Sequence, residues 1–341
     1  FRGEGFRSSV TSMVAAVIGM IPEGLYLLAS VALAVSAMRL ATKKVLLHDM
    51  KCIETLARVN VLCVDKTGTI TDNTMEVREF KPTDKYDNET MAPLSQLIGD
   101  FAAAMDRDNI TMEAIKRSFP HASGRKPISK TGFSSATKYS SVTFEDEAYV
   151  LGAPEFVLKE AYETYAEDIE SYAAKGLRVL VFGTYDGEID GNELAKPICP
   201  LGYLMLANPI RKAAKETFSY FAEQGVEVKV ISGDNPRTVS EVAKEAGVEG
   251  AERYIDASTL KDEEAMRDAV LKYNVFGRVT PNQKRQFVQM LKDAGKTVAM
   301  TGDGVNDVLA LKDADCSIAM ASGSDAAAQA SQLVLLESDA S

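Results

Sequence analysis

The stretch VLCVDKTGTITDN, residues 61–73, carries the strongest structural signal in the chain. A short apolar run ends at Asp65, and the turn-forming residues Lys-Thr-Gly-Thr follow at once. This pattern predicts a buried strand that presents a carboxylate at its end. Such a carboxylate can serve as a nucleophile, a metal ligand or a structural cap, and its neighbours have to distinguish among these.

Further apolar runs follow this strand and alternate with helical stretches at 211–224, 236–246 and 281–294. The runs are LGYLMLAN, VEVKVISGD, VFGRVT, KTVAMTGD and CSIAM. Strand and helix in alternation predict a parallel sheet covered on both faces, hence an α/β fold. Polar residues fall just past the strand ends, where open α/β sheets bind their ligands.

Residues 75–200 have a different pattern. They contain helical stretches at 92–105, 111–119 and 155–175, and a hairpin from KYSSVTF through EDE to AYVLGAP. The strand LRVLVFGTY then ends near an Asp-Gly turn. We predict an α+β domain inserted between the first and second strands of the parallel sheet.

Residues 10–38 contain one side chain that is charged near neutral pH, Glu23. A helix over these residues would be about 44 Å long, more than a bilayer's hydrocarbon core requires. We predict a transmembrane helix and not a signal peptide, followed by a helical stalk over 39–58. Pro22 removes a backbone donor, so the helix should open beside Glu23.

The overall composition excludes one class of partner. A net charge of −11 over 341 residues repels nucleic acid in the absence of a basic patch. The four cysteines show no metal-ligand spacing, which favours a reduced, cytosolic setting for the domains that follow the membrane segment.

DKTGT resembles the phosphorylation motif of the P-type ATPases, ion pumps of the haloacid dehalogenase superfamily. Four further segments match this family in order: IPEGL (21–25), SGDNPRT (232–238), RVTPNQK (278–284) and MTGDGVNDVLAL (300–311). The resemblance implies a Rossmann-like parallel sheet, an inserted nucleotide-binding domain and one preceding transmembrane helix. The expected domains are a membrane segment over 1–40, a phosphorylation domain over 41–74 and 201–341, and a nucleotide-binding domain over 75–200.

The chemistry of such a site follows from its residues. Asp65 would attack the γ-phosphate of ATP, while Lys284 holds the phosphoryl oxygens. Magnesium would be held by Asp65, Asp303 and the backbone carbonyl of Thr67, with Asp307 as a further ligand or partner. Ser232 and Thr69 can donate hydrogen bonds to phosphate.

Position 67 distinguishes a pump from a phosphatase. Phosphatases that resemble this site carry a second Asp two residues after the nucleophile, and it moves protons during hydrolysis. Thr67 cannot do so near pH 7. The acyl phosphate should therefore persist.

The same resemblance assigns a nucleotide pocket. Phe133 would stack on adenine, Lys138 would line the pocket, and Arg178 would reach phosphate. The remaining residues of the expected nucleotide-binding set are Gly152, Asn208, Arg211, Gly233 and Asp234. Leu151 replaces a usual Lys, Asn208 a usual Asp and Ser232 a usual Thr; the first two changes would weaken nucleotide affinity.

The membrane segment would carry the transported ion. The family's carbonyl ligands match Ile18, Gly19 and Ile21, with Glu23 as the side-chain ligand. Oxygen ligands favour Ca²⁺ or another hard cation, although Tyr26 replaces the family's second proline. The alternative to a cation site is that Glu23 is protonated and forms a hydrogen bond to a neighbouring helix.

We therefore expect an ATP-driven cation pump in the plasma membrane, with its catalytic domains in the cytoplasm and with Mg²⁺ and ATP as cofactors. The TGE tripeptide, which is the family's dephosphorylation signature, does not occur in the chain. The remaining membrane helices and an actuator domain would then be partners in a longer protein. Two alternatives stay open: a membrane-anchored phosphatase of the same superfamily, and a nucleotide-binding module without catalysis.

Overall fold

The computed structural model describes residues 2–336. Its α-helices are, in chain order, α1 (Arg2–Gly19), α2 (Glu23–Thr42), α3 (Lys51–Leu56), α4 (Leu94–Ala104), α5 (Ile110–Ser118), α6 (Pro154–Leu158), α7 (Tyr162–Ala173), α8 (Ala214–Glu223), α9 (Pro236–Glu245), α10 (Glu263–Lys272), α11 (Pro281–Asp293), α12 (Val308–Asp313) and α13 (Asp325–Ala330). Its strands are β1 (Val45–Leu47), β2 (Val61–Asp65), β3 (Glu76–Pro82), β4 (Ser129–Thr131), β5 (Tyr139–Thr143), β6 (Ala148–Gly152), β7 (Arg178–Thr184), β8 (Cys199–Ala207), β9 (Glu227–Ile231), β10 (Tyr254–Asp256), β11 (Val275–Gly277), β12 (Val298–Gly302), β13 (Cys316–Met320) and β14 (Leu333–Leu335).

One sheet has the strand order β1-β14-β13-β12-β2-β9-β11-β10. Its strands pair in parallel except for β1, which runs antiparallel to β14. Separate apolar clusters cover the two faces, and the β2 side chains alternate between them, Val61 and Cys63 on one face and Leu62 and Val64 on the other. The predicted parallel α/β sheet is confirmed.

The other sheet has the order β3-β8-β7-β6-β5-β4 and is antiparallel throughout. The predicted hairpin is the β5–β6 pair, which confirms that part of the inserted domain. One apolar cluster packs α4 and α5 on this sheet, and another packs α6 and α7 on its other face.

We predicted that the run LGYLMLAN belongs to the parallel sheet. This prediction is wrong. The run forms β8, a strand with buried residues on both faces that pairs with β3 and β7. Any central strand covered on both faces has a continuous apolar sequence, so the run alone could not reveal its sheet. Because β8 pairs with β3 and β7, we propose that the inserted domain ends after Ala207 and not at residue 200.

The connector over 39–58 is also not the continuous helical stalk that we predicted. Helix α2 ends at Thr42, and Lys44 adopts φ +59°, which an α-helix cannot accommodate. Strand β1 then pairs with β14, and Val45 and Leu47 pack on the apolar cluster of the parallel sheet. Burial of these two side chains favours a strand over continued helix.

The apolar segment is two helices, and not the single helix that we predicted over 10–38. Helix α1 ends at Gly19 and α2 begins at Glu23, with the break at Pro22 where we expected an opening. Helix α2 has 20 residues and is long and apolar enough to cross a membrane.

Candidate active site

Asp65 lies at the carboxyl end of β2, beside the carboxyl end of β12. Because the two strands are parallel neighbours, Asp65 and the loop that follows β12 meet at one edge of the sheet. Lys284, on α11, donates from Nζ to Asp65 Oδ2 at 3.0 Å and to Asp307 Oδ1 at 2.7 Å. Three sequence-distant segments thus converge, as the motif order predicted.

Carboxylate oxygens of Asp65, Asp303 and Asp307 lie within 4.8 Å of one another. Thr67 lines the same cleft, which has a volume of about 290 Å³. Clustered hard oxygen donors suit Mg²⁺, so the residues present fit the expected metal. When bound there, the ion would neutralise charge on a phosphate group.

The electrostatics of this cluster also favour a cation. Burial raises the pKa of Asp65 to about 7, and the neighbouring Asp307 adds to the rise against the opposing effect of Lys284. Burial likewise raises the pKa of Asp303. Burial by itself would lower the pKa of Lys284, but Asp65 and Asp307 outweigh it and raise that pKa. The lysine therefore stays charged, and it leaves a carboxylate cluster that a further cation would stabilise.

Gly68 gives the Asp65 loop its shape. It adopts φ +80°, and a Cβ built on it would lie 1.9 Å from Asp303 Oδ2. Only glycine tolerates both the positive φ and this close approach. The glycine of DKTGT therefore allows the Asp303 carboxylate to lie against the loop that follows Asp65.

The SGD segment after β9 forms a further wall of this cleft. Ser232, Gly233 and Asp234 all line it, and the Asp234 amide donates to Ser232 Oγ at 3.2 Å. Asp234 Oδ2 accepts from Lys66 Nζ at 2.6 Å. The charge of Lys66 is the main cause that holds the pKa of Asp234 down, at about 2.

Sequence reasoning missed Lys66. Its side chain is buried, and besides Asp234 it donates to Asn208 Oδ1 at 3.4 Å. Its position directly after Asp65 was the one available signal. Spacing alone, however, does not reveal which acid a buried lysine will pair with. Lys66 joins the Asp65 loop to the SGD segment.

A second, smaller cleft of about 120 Å³ lies in the inserted domain. Phe133, Gly152 and Arg178 line it together, as predicted, and Phe133 remains 45% exposed. Leu151 also lines it, while sequence reasoning missed the walls contributed by Asn109, Thr111 and Met112. An exposed aromatic ring at the mouth of an apolar cleft is suited to stacking on a planar base.

Lys138 does not line this smaller cleft. Its carbonyl accepts from the Ala153 amide at 2.9 Å, and it adopts φ +58°. Its charge and that of Arg178 both contribute to the low pKa of Asp234 in the larger cleft. Both cations therefore act on an acid that lines the cleft of Asp65.

We predicted that Asn208 and Arg211 belong to the nucleotide-binding set with Phe133. They do not line the cleft that holds Phe133. The Asn208 amide donates to the Thr74 carbonyl at 2.8 Å, and Arg211 Nη2 donates to the Gly68 carbonyl at 2.6 Å. Both follow β8, whose end lies beside the Asp65 loop because β8 leads back to the parallel sheet. They support the loop that follows Asp65.

The predicted cation ligands Ile18, Gly19, Ile21 and Glu23 all lie at the break between α1 and α2 and are exposed. The Ile18 carbonyl accepts from the Ile21 amide at 3.1 Å, and the Ile21 carbonyl accepts from the Glu23 amide at 2.8 Å. Turn hydrogen bonds therefore engage two of the carbonyls that we expected to be freed. Each oxygen retains a second lone pair for a ligand.

Comparisons with known proteins agree with this geometry. A family model for haloacid dehalogenase-like hydrolases matches residues 59–315. The calcium-transporting ATPase CtpE of Mycobacterium tuberculosis is 42% identical over 97% of this chain and 41% of its own length. The probable cation-transporting ATPase exp7 of Streptococcus pneumoniae is 42% identical over 99% of this chain and 43% of its own length.

A solved structure of a zinc-transporting PIB-type ATPase in the E2.Pi state has a TM-score of 0.58 and 22% identity, over 87% of this chain and 42% of that one. At this identity the match supports the fold alone. The chain spans about two fifths of the length of the curated relatives named above. Together with the converging acids and lysine, the family match means that the chain belongs to the haloacid dehalogenase-like hydrolase family and is homologous to the P-type cation-transporting ATPases.

Proposed function

We propose that this chain is the catalytic part of an ATP-driven cation pump that works through an aspartyl phosphate on Asp65. The observation that carries the proposal is the convergence of Asp65, Lys284 and Asp303 on one cleft. An Asp65 oxygen would attack the γ-phosphorus of ATP in line, and ADP would leave. Lys284 would neutralise charge on the transferred group and hold its oxygens.

We assign Mg²⁺ to Asp65, Asp303, Asp307 and Thr67, and ATP to the path between the two clefts. Phe133 would stack on the base, and Arg178 and Lys138 would attract the phosphates toward Asp65. Gly233 and Asp234 would line the phosphate end. Thr67, in place of a second acid, would leave the acyl phosphate without a proton-transferring neighbour, so the phosphoenzyme would persist.

A labelling experiment tests the catalytic proposal. The protein is incubated with γ-labelled ATP and Mg²⁺, quenched in acid and treated with hydroxylamine. The expected result is an acid-stable, hydroxylamine-labile label that is absent from Asp65→Asn. Rapid release of phosphate from small phosphoesters without ATP would favour the phosphatase. Binding of ATP without any phosphoenzyme would favour the non-catalytic module.

We further propose domains that match this chemistry: a membrane segment over 1–40, a phosphorylation domain over 41–74 and 208–341, and a nucleotide-binding domain over 75–207. Residue 1 and residues 337–341 lie outside the described structure. The membrane would be the plasma membrane, with the catalytic domains in the cytoplasm. Further membrane helices and an actuator domain would be partners within the longer pump.

Ca²⁺ is our proposed cargo, bound by Glu23 with the carbonyls of Ile18, Gly19 and Ile21. Hard oxygen donors beside an intramembrane acid support this choice, and so does the name of the mycobacterial relative. The test is ATPase activity of the longer pump against a panel of cations. We expect stimulation by Ca²⁺ that Glu23→Gln removes. Stimulation that survives in Glu23→Gln would exclude this residue from the ion site.

A further inference from the structure

Two buried thiols meet far from the Asp65 cleft. Cys52, on α3, and Cys316, at the start of β13, are 264 positions apart in the chain, yet their sulfur atoms lie 3.5 Å from each other. Both side chains are buried, with 1% and 0% of their surface exposed. Both are free thiols that belong to one apolar cluster between α3 and the parallel sheet.

The geometry brings these sulfurs close to bonding distance. A disulfide has a sulfur–sulfur length of about 2.05 Å, so the gap would have to close by about 1.5 Å. Helix α3, which has six residues and lies between β1 and β2 in the chain, would have to shift toward β13 by this amount for the bond to form. The other two cysteines lack such a contact among the described residues: Cys63 is buried in β2, and Cys199 is exposed on the antiparallel sheet.

The contact also makes the two thiols chemically unequal. The side-chain contact with Cys316 lowers the pKa of Cys52, and the same contact, together with burial, raises the pKa of Cys316. Burial raises the pKa of Cys63 to about 12, which makes that thiol unreactive. Cys52 is therefore the sulfur suited to attack first.

We propose that Cys52 and Cys316 are a redox modification site that forms a reversible disulfide with a peroxide. The Cys52 thiolate attacks one peroxide oxygen, the O–O bond breaks, and the released hydroxide takes up a proton to become water. The Cys316 sulfur then attacks the Cys52 sulfenic acid, loses its proton and expels a second water. One peroxide is reduced to two waters, and two thiols are oxidised to one disulfide.

The bond would fix the connector between the apolar helix α2 and the nucleophile's strand. Helix α3 lies in that connector, and β13 lies two strands from β2 in the same sheet. A disulfide between them would hold α3 on the sheet face. Its formation requires neither ATP nor a transported cation, so it can be tested independently of the proposed pump.

The experiment treats the intact protein with hydrogen peroxide, blocks the remaining thiols and maps the peptides without reduction. We expect a Cys52–Cys316 peptide that has lost two hydrogens and that dithiothreitol restores. Cys199→Ser is the matched control and should leave this peptide unchanged. Cys316→Ser should abolish it and leave Cys52 as a sulfenic acid that dimedone captures.

Two outcomes would overturn the proposal. One is that both thiols stay reduced at a peroxide dose that fully oxidises the exposed Cys199. The other is that Cys52 accumulates as sulfinic acid while Cys316 remains free to react with the blocking reagent. A circular-dichroism spectrum of Cys316→Ser that matches that of the unsubstituted protein shows that this variant still folds. Loss of the peptide from a misfolded protein is thereby distinguished from loss of the partner thiol.

Discussion

Replacing Gly68 by alanine should displace Asp303 from the nucleophile's loop. The new Cβ would lie 1.9 Å from Asp303 Oδ2, whereas ordinary contacts begin near 3.4 Å. The carboxylate or the loop therefore has to move by about 1.5 Å, and misplacement of about 1 Å in a reacting site can slow a reaction by roughly 10²-fold. We expect phosphoenzyme formation to slow by at least about 100-fold.

The variant also carries a backbone cost that a second glycine can isolate. Alanine at positive φ destabilises the folded state by about 1–2 kcal/mol. Gly295 adopts φ +82° against +80° for Gly68, but a Cβ there has no neighbour within 4 Å. Gly295→Ala should therefore lose similar backbone stability while retaining the wild-type rate of phosphorylation.

The assay is rapid-quench labelling with γ-labelled ATP, together with calorimetric ATP binding and denaturant unfolding of both variants. ATP affinity should hold in Gly68→Ala, because Phe133 and its cleft do not contact this loop. If Gly68→Ala is phosphorylated as fast as Gly295→Ala, then the close approach of Asp303 to the loop does not matter for the reaction. The geometric argument for the site would then fail.

Three other predictions follow from the same structure. Asp303→Asn should raise the Mg²⁺ concentration for half-maximal phosphorylation by roughly tenfold or more, and an unchanged Mg²⁺ titration would exclude Asp303 as a ligand. Phe133→Ala should lose about 1–3 kcal/mol of calorimetric ATP affinity through lost stacking, whereas Phe156→Ala, a similarly exposed Phe outside the cleft, should lose none. Lys66 lowers the pKa of Asp234 to about 2 in the folded protein, from 3.8 in the unfolded chain. The ion pair therefore stabilises the fold fully above about pH 4, and this stabilisation is lost as the pH falls toward 2. Asp234→Asn should therefore remove about 2 kcal/mol from the acid dependence of the unfolding free energy, and an unchanged dependence would contradict the pairing.

The convergence of Asp65 and Asp303 could be predicted because it follows from local signals. Asp65 and Asp303 each end an apolar run, and the carboxyl ends of parallel strands share one edge of a sheet. The strand and turn types are encoded within a few residues, so the acids could be placed without any contact information. Phe133 and Arg178 were grouped by resemblance, and the structure places them in one cleft.

Long-range pairing could not be predicted in this way. The β8 run has the same apolar sequence that either sheet would require, and its pairing with β3 and β7 assigns it to the antiparallel one. Strand β1 forms because β14, nearly 300 residues later, offers it an edge. Such strands form because they are buried against sequence-distant partners, and the local β-propensity of a segment does not identify those partners.

The sequence by itself determined that Asp65 ends a buried strand, that a glycine turn follows it, and that further acids and a lysine follow in the order of the P-type ATPase motifs that the chain resembles. Only the tertiary structure decided that Lys66 pairs with Asp234, that Asn208 and Arg211 support the nucleophile's loop, and that Cys52 meets Cys316. The physical reason is the range of the interactions. Backbone geometry and hydrophobic patterning depend on a few neighbouring residues. The partner of a buried charge or thiol depends instead on which distant part of the chain packs against it in the folded protein.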